Sequence, residues 1–233
     1  MRYLGGKCKE ANRILEVVLR DRQPDQLYVE PFVGGCNVID KVPGPRWGND
    51  FNNKLITMWQ AVRDGWVPPE TVTEDEYRTI RQDPCTSRDA TVLHAFVACA
   101  GSWGGKWWGG YARGEGRNFI AEGRRHVLKQ APKLADVVFT AGSYADLDVP
   151  YGSLVYCDPP YKGTTAYKGT GVWDPAAFWA WARLQVEGNG CRVFVSEFEA
   201  PEGWECVLEF RRKNDLNRKD VVEKLFVWRP ASR

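Results

Sequence analysis

The sequence predicts an α/β protein, a mostly parallel sheet with helices between its strands and a hairpin at the end. Three observations carry this. Short apolar runs alternate with segments of helical spacing, the first such run feeds straight into a Gly-rich turn, and the tail at 204–229 alternates as two antiparallel strands would.

Taken in order, residues 9–22 place Ile14, Leu15, Val18 and Leu19 on one face of a helix, with charges between them. A short strand at 27–29 runs into Glu30-Pro31-Phe32-Val33-Gly34-Gly35, a strand entering a turn. A second strand at 46–48 ends at Asn49-Asp50, and 54–66 returns to helical spacing. The stretch 67–135 then changes character. It opens on Pro68-Pro69 and charged runs, has an apolar helix at 91–99, and continues as GSWGGKWWGGYARG. It is expected to be an insertion, mostly helical and loop-rich. Regularity returns with a strand at 137–140, another at 153–157 leading into DPPY, a helix at 174–187 and a buried strand at 191–196.

Bulk composition bounds the rest. At 233 residues and 43% hydrophobic, the chain can form one good-sized core or one domain with an appendage. Lys and Arg number 32 against 30 Asp and Glu, so any basic surface for nucleic acid must be local. Seven cysteines include no CxxC pair, and the only histidines, His94 and His126, lie far apart in sequence. Neither a disulfide framework nor a zinc site is expected, and no metal. No apolar run is long enough to span a bilayer and no leader is visible, so the expectation is a cytoplasmic protein. His94 falls in an apolar helical stretch and is expected as a satisfied core residue.

Two constellations carry chemistry. In the first, the turn at 30–35 is followed by Asp50 at the end of the next strand. Glycine lets backbone approach a ligand, and a carboxylate there can hold both hydroxyls of a ribose. An ordinary turn with a surface Asp reads the same residues about as well. The second is Asp158-Pro159-Pro160-Tyr161 after an apolar strand. Two prolines force the chain out of the sheet and stiffen it, fixing the carbonyl of Pro159 beside the carboxylate of Asp158. With the flat ring of Tyr161, these groups could hold an amino group by both hydrogens. A plain strand-ending turn is the alternative.

Taken together, RYLGGK at the N-terminus, VEPFVGG at 29–35, ND at 49–50 and VYCDPPY at 155–161 resemble the adenine-specific DNA methyltransferases of the Dam-like family, bacterial and phage type. AGSYADL at 141–147 and RKDVVEKLFV at 218–227 add weaker support. The resemblance implies a Rossmann-like methyltransferase sheet that uses S-adenosylmethionine. The catalytic domain would comprise 1–66 and 136–233, with a target-recognition region inserted at 67–135. Tyr3, Gly5 and Lys7 would fold over the cofactor. Glu30, Phe32 and Gly34 would shape the pocket for its methionine part, Asp50 would hold the ribose, and Ser143 and Tyr144 would border its adenine ring. Many relatives carry Asp where Ser143 stands, and a small Gly or Ala where Cys36 stands. Asp158 would touch both cofactor and target amine, while Pro159, Pro160 and Tyr161 complete the catalytic motif.

The implied reaction is methyl transfer to the N6 amino group of an adenine flipped out of double-stranded DNA. The Trp/Gly/Lys stretch, with Lys106, Trp107, Trp108, Arg113, Arg117 and Arg124, would face the duplex, cations toward phosphates and rings toward the vacated stack. A structural loop packed on the domain is the competing reading. The run at 211–215 with Arg218 and Lys219 is a second candidate DNA loop. The rival functions are methylation of an amino group on cytosine or in RNA, and a non-catalytic nucleic-acid-binding relative. An intact DPPY together with RYLGGK and Asp50 favours the enzyme.

Overall fold

The computed structural model describes residues 1–161, 173–213 and 220–229. In chain order the elements are α1 (Ala11–Val18), β1 (Tyr28–Glu30), β2 (Arg46–Asp50), α2 (Asn53–Arg63), α3 (Glu74–Gln82), α4 (Arg88–Ala100) and α5 (Phe119–Gln130). There follow β3 (Val137–Ala141), β4 (Leu154–Cys157), α6 (Pro175–Glu187), β5 (Arg192–Glu197), β6 (Trp204–Lys213) and β7 (Asp220–Trp228).

The seven strands form one sheet in the order β3-β2-β1-β4-β5-β7-β6. The first five are parallel to one another, while β7 runs antiparallel between β5 and β6. This is the expected Rossmann-like arrangement with a terminal hairpin. β1 lies between β2 and β4, so the chain leaves it in one direction and later returns on its other side. That is the topological switch point, where the carboxyl ends of neighbouring strands open a crevice.

Local chemistry explains the elements. In α1 the buried residues Ala11, Ile14, Leu15 and Val18 recur three and four apart on one face. Asn52 caps α2, accepting from Leu55 N at 3.2 Å, and Asp174 caps α6 through Ala176 N and Ala177 N, with Pro175 in the first turn. The central strands β1 and β4 are buried at every position. β3, on the sheet edge, buries Val137 and Phe139 and exposes Val138.

The 67–135 stretch contributes α3, α4 and α5. The helix expected at 91–99 is α4, longer at both ends. α3 and α5 were not singled out from periodicity, although α3 has a sequence signature: Thr73 and Glu76 form a reciprocal capping box. α4 packs on α2 and is flanked by α3 and α5. Phe96, Val97, Ile120 and Val127 belong to the same buried cluster as Ile14, Tyr28 and Val33. The inserted helices thus share the core of the sheet. No helix among the described residues is long and apolar enough to cross a membrane. Of the candidate loop at 211–215, residues 214 and 215 lie outside the described residues, as do Arg218 and Lys219; Arg211 is exposed.

Candidate active site

The residues singled out in the sequence meet at the carboxyl ends of β1, β2, β3 and β4. Asp158 follows β4 directly. Lys7 comes from the segment before α1, and its Nζ donates to Asp158 Oδ1 at 2.8 Å and Oδ2 at 3.0 Å, and to the carbonyl of Gly5 at 3.2 Å. The same ammonium stands 3.7 Å from Glu223 Oε2 of β7 and 4.9 Å from the centre of the Tyr161 ring. Tyr161 donates its hydroxyl to Asp158 Oδ1 at 3.1 Å, and its ring meets Phe198 edge-on at 4.8 Å. The Lys7 side chain is 2% exposed, that of Asp158 20%. The carboxylate is thus the part of this cluster that reaches solvent.

The glycine turn lies next door. Gly34 has φ +46°, and a Cβ there would stand 3.0 Å from Tyr3 Cε1; one on Gly35 would stand 2.7 Å from Tyr3 Cβ. Glycine is needed because the ring of Tyr3 lies directly on the turn. Cys36, next in line, holds φ +53° in the buried core, a backbone state that explains why glycine suits this position. Asp50 accepts from Gly34 N and Asn52 N, both at 2.9 Å. It therefore ties the turn after β1 to the start of α2. Burial raises its pKa above the ordinary carboxylate value, against the pull of those two bonds.

Asn49 is fully buried and joins the turn after β1 to the end of β3 and the loop that follows it, a role the sequence did not suggest beyond its place in the motif. It donates to Pro31 O at 3.2 Å and Gly142 O at 2.9 Å and accepts from Thr140 Oγ1 at 2.9 Å. Glu30 is 3% exposed and accepts from Tyr28 Oη at 2.8 Å. Burial pushes its pKa well above 4.5, and the nearby charge of Asp158 adds to the rise.

Phe32 and Tyr144 stand 5.4 Å apart, and Trp173 and Phe178 close round them at 5.6–5.9 Å. Trp173 carried no signal in the sequence, since it joins this cluster only through tertiary packing. Ser143 spends its hydroxyl locally, accepting from Ala145 N at 3.2 Å.

The Trp-rich stretch is brought to the same N-terminal segment. Leu4 N donates to Gly105 O at 3.1 Å, and a Cβ on Gly105 would stand 2.8 Å from Tyr3 N. Its rings differ in fate. Trp108 donates Nε1 to His94 Nε2 at 2.9 Å and packs on the rings of His94 and Tyr77, at 4.7 and 4.9 Å. The indole of Trp108, one of the rings expected to face a duplex, is thus half-buried and tied to a core histidine. Trp107 is half-buried against the same core. His94, 5% exposed, takes a second partner in the carbonyl of Ile80, as expected of a satisfied core residue.

The exposed ring is Trp103, at 65%, which was not among the expected residues. Lys106 is exposed as well. Arg113 pairs with Glu74, Arg117 with Glu122 at 2.7 Å, and Arg124 with Glu70 at 3.4 Å. These are surface pairs, weak enough to open.

Comparison with known proteins adds the following. Among curated proteins none matches the chain. Similar solved structures include yhhF from Escherichia coli, a methyltransferase by designation, at 10% identity, TM-score 0.42, covering 98% of this chain and 89% of that one. Another is the rRNA methyltransferase aviRa from Streptomyces viridochromogenes, at 10% identity, TM-score 0.44, covering 97% and 86%. At this level of likeness the architecture rests on the strand order of the sheet itself. The family model of the D12 class N6 adenine-specific DNA methyltransferases matches residues 3–83. That stretch holds YLGGK at 3–7, the glycine turn and Asp50, and stops short of DPPY at 158–161. Over residues 3–83, then, the chain matches the D12 class N6 adenine-specific DNA methyltransferases, the class its ordered motifs resemble.

Proposed function

We propose that this protein transfers a methyl group from S-adenosylmethionine to the N6 amino group of adenine in double-stranded DNA, with the base flipped out of the duplex. One observation carries the reading. The carboxylate of Asp158, held by Lys7 and Tyr161, opens on the switch point beside the glycine turn and Asp50. The match over 3–83 supports the choice of base and nucleic acid.

The residues present fit the donor. Asp50 offers acceptors for ribose hydroxyls beside the glycine turn on which Tyr3 lies, and Phe32 with Tyr144 offers faces for a purine. Glu30 lies buried at the end of β1, where an amino group would find an acceptor. When bound, the donor supplies an electrophilic methyl group on a sulfonium.

The chain's own residues do the rest. A carboxylate has about four lone-pair sites, and Lys7 and Tyr161 take three of those on Asp158. The remaining site on Oδ2, with the carbonyl of Pro159, accepts the two hydrogens of the target amine. Both bonds draw the nitrogen lone pair out of the ring and toward the methyl group. As the new N–C bond forms, Oδ2 is the atom toward which the amine proton is drawn. Alignment at about 3–3.5 Å between reacting atoms supplies much of the acceleration.

In this reading the recognition region is 67–135, and the protein works in the cytoplasm of a bacterial or phage-infected cell. Lys106 meets phosphates, as do Arg113, Arg117 and Arg124 once their ion pairs open, and Trp103 and Trp107 contact the strand at the flipped base.

The test is mass spectrometry of nucleosides from duplex DNA incubated with protein and labelled donor. Wild type should yield N6-methyladenine. Asp158→Ala should lose roughly 10²–10³-fold in rate per folded molecule, as for removal of one positioned group that stabilises the transition state. Label found only in cytosine or in RNA would overturn the substrate, and near-normal turnover of the variant would overturn the role of Asp158.

A further inference from the structure

Glu223 lies on β7, well outside the motifs that carry the site, yet it reaches the site. The reason is topological. β5 runs parallel to β4 and β7 runs antiparallel to β5, so the first residues of β7 fall at the same edge as the last residues of β4 and β5. The register places Lys224 opposite Glu197 at the end of β5, and Glu223 one step beyond. Alternation along the strand puts Glu223 on the face of Leu225 and Val227, which is the face that packs in the core containing α1. Lys7 enters the site from the segment just before α1.

The Glu223 side chain is 0% exposed, and its Oε2 stands 3.7 Å from Lys7 Nζ. Lys7 therefore lies between two carboxylates, 2.8 Å from Asp158 Oδ1 on the open side and 3.7 Å from Glu223 on the closed side. Burying such a group is costly, and an apolar replacement would pack as well, so the pair is not there for stability alone. A lysine stem has four rotatable carbons and no preferred head direction. With Asp158 as its sole anion, the ammonium would be free to follow the carboxylate into the crevice and cover the last lone pair of Oδ2. A second carboxylate behind it holds the head back.

We propose that Glu223 is a positioning residue for methyl transfer: it anchors Lys7, and Lys7 in turn sets the orientation of the Asp158 carboxylate. The inference rests on the reaction proposed above and assigns to it a residue from the terminal hairpin. Glu223 touches no substrate and acts through Lys7.

The experiment uses the full chain. In Glu223→Gln, single-turnover methylation of duplex DNA should slow about tenfold, as for loss of one kind of precise alignment. Donor affinity by calorimetry and duplex affinity should stay within about twofold of wild type, so the loss falls on the chemical step. Glu223→Asp should recover part of the rate. In a Lys7→Met background, Glu223→Gln should slow the reaction no further, because the path from Glu223 to Asp158 is already cut. Melting should show the same coupling without turnover: Glu223→Gln lowers stability in wild type and lowers it less, or raises it, beside Lys7→Met.

An unchanged rate in Glu223→Gln, or a full additional loss beside Lys7→Met, overturns the inference. So does a loss that only tracks the folded fraction. Should Glu223→Gln fail to fold, Glu223→Asp is the deciding variant, since it keeps the charge but shortens its reach; a wild-type rate there overturns the proposal. Active wild type with unaltered Glu223→Gln overturns this inference alone, whereas wild type that methylates no adenine overturns both it and the proposed function.

Discussion

At the scale of single residues, the site is a set of buried charges whose partners are known. Asp50 has a structural role of its own, because its two oxygens fasten the glycine turn to the start of α2. The sequence had to leave open whether it was a surface acid. Glu30 makes a sharper case. Burial raises its pKa well above 4.5, so the fold favours its protonated form. Its contribution to stability is full below about 4.5, its value in an unfolded chain, and is lost as pH rises through the folded value. Glu30→Gln mimics the protonated acid at every pH. The variant should therefore melt like wild type in acid and increasingly above it as pH rises toward neutrality, while binding the donor less tightly. Thermal melts of both proteins across pH 4–8, with calorimetry at neutral pH, check this; a melting difference that does not grow with pH would show that Glu30 is stably ionised in the fold.

Elements explain why the Trp-rich stretch read ambiguously. It contains several tryptophans in a glycine-rich run, and composition cannot tell a packed ring from an exposed one. The structure divides them by backbone: Gly105 clamps the turn to residues 2–4, Trp108 adopts φ +50° and faces His94, and Trp103 is left outside at 65% exposure. Trp108→Ala should cost on the order of 3–5 kcal/mol of stability, the usual range for a packed ring. Trp103→Ala should leave the melting temperature nearly unchanged and weaken duplex binding. Denaturant titrations and duplex binding on the same two variants separate the roles, and equal stability losses would refute the division. The helices around the loop teach a related lesson. α3 was legible in its capping box, Thr73 with Glu76, more than in its apolar pattern, since Tyr77 is its sole buried residue. α4 was legible because eight of its residues are buried and apolar or small, His94 excepted.

At the scale of the whole molecule, one side chain of α5 reaches the glycine turn after β1. Gln130 ends α5, is 6% exposed, and donates to Gly35 O at 3.1 Å and Cys36 O at 3.0 Å. Gln130→Leu would remove a donor from the buried carbonyl of Cys36 and leave that of Gly35 to the N-terminal ammonium at 3.5 Å, at about 1–3 kcal/mol for an unsatisfied group. It should weaken donor binding although it lies in the inserted stretch; calorimetry showing wild-type affinity would exclude this coupling. What the sequence determined by itself was local. Strand-to-turn transitions, the glycines under Tyr3, the stiff DPPY exit and the order of the motifs all follow from bonded geometry and short-range periodicity. They were enough to place the sheet and most of the site. Only the tertiary structure decided which ring of the loop faces out, that Asp50 already holds the turn, that Trp173 closes on Phe32, and that Glu223 stands behind Lys7. Each of these joins residues distant in sequence, and the sheet order 3-2-1-4-5-7-6 brings the first residues of β7 to the edge where Lys7 meets Asp158. Burial and charge pairing are properties of that meeting, and no window of the sequence contains both partners.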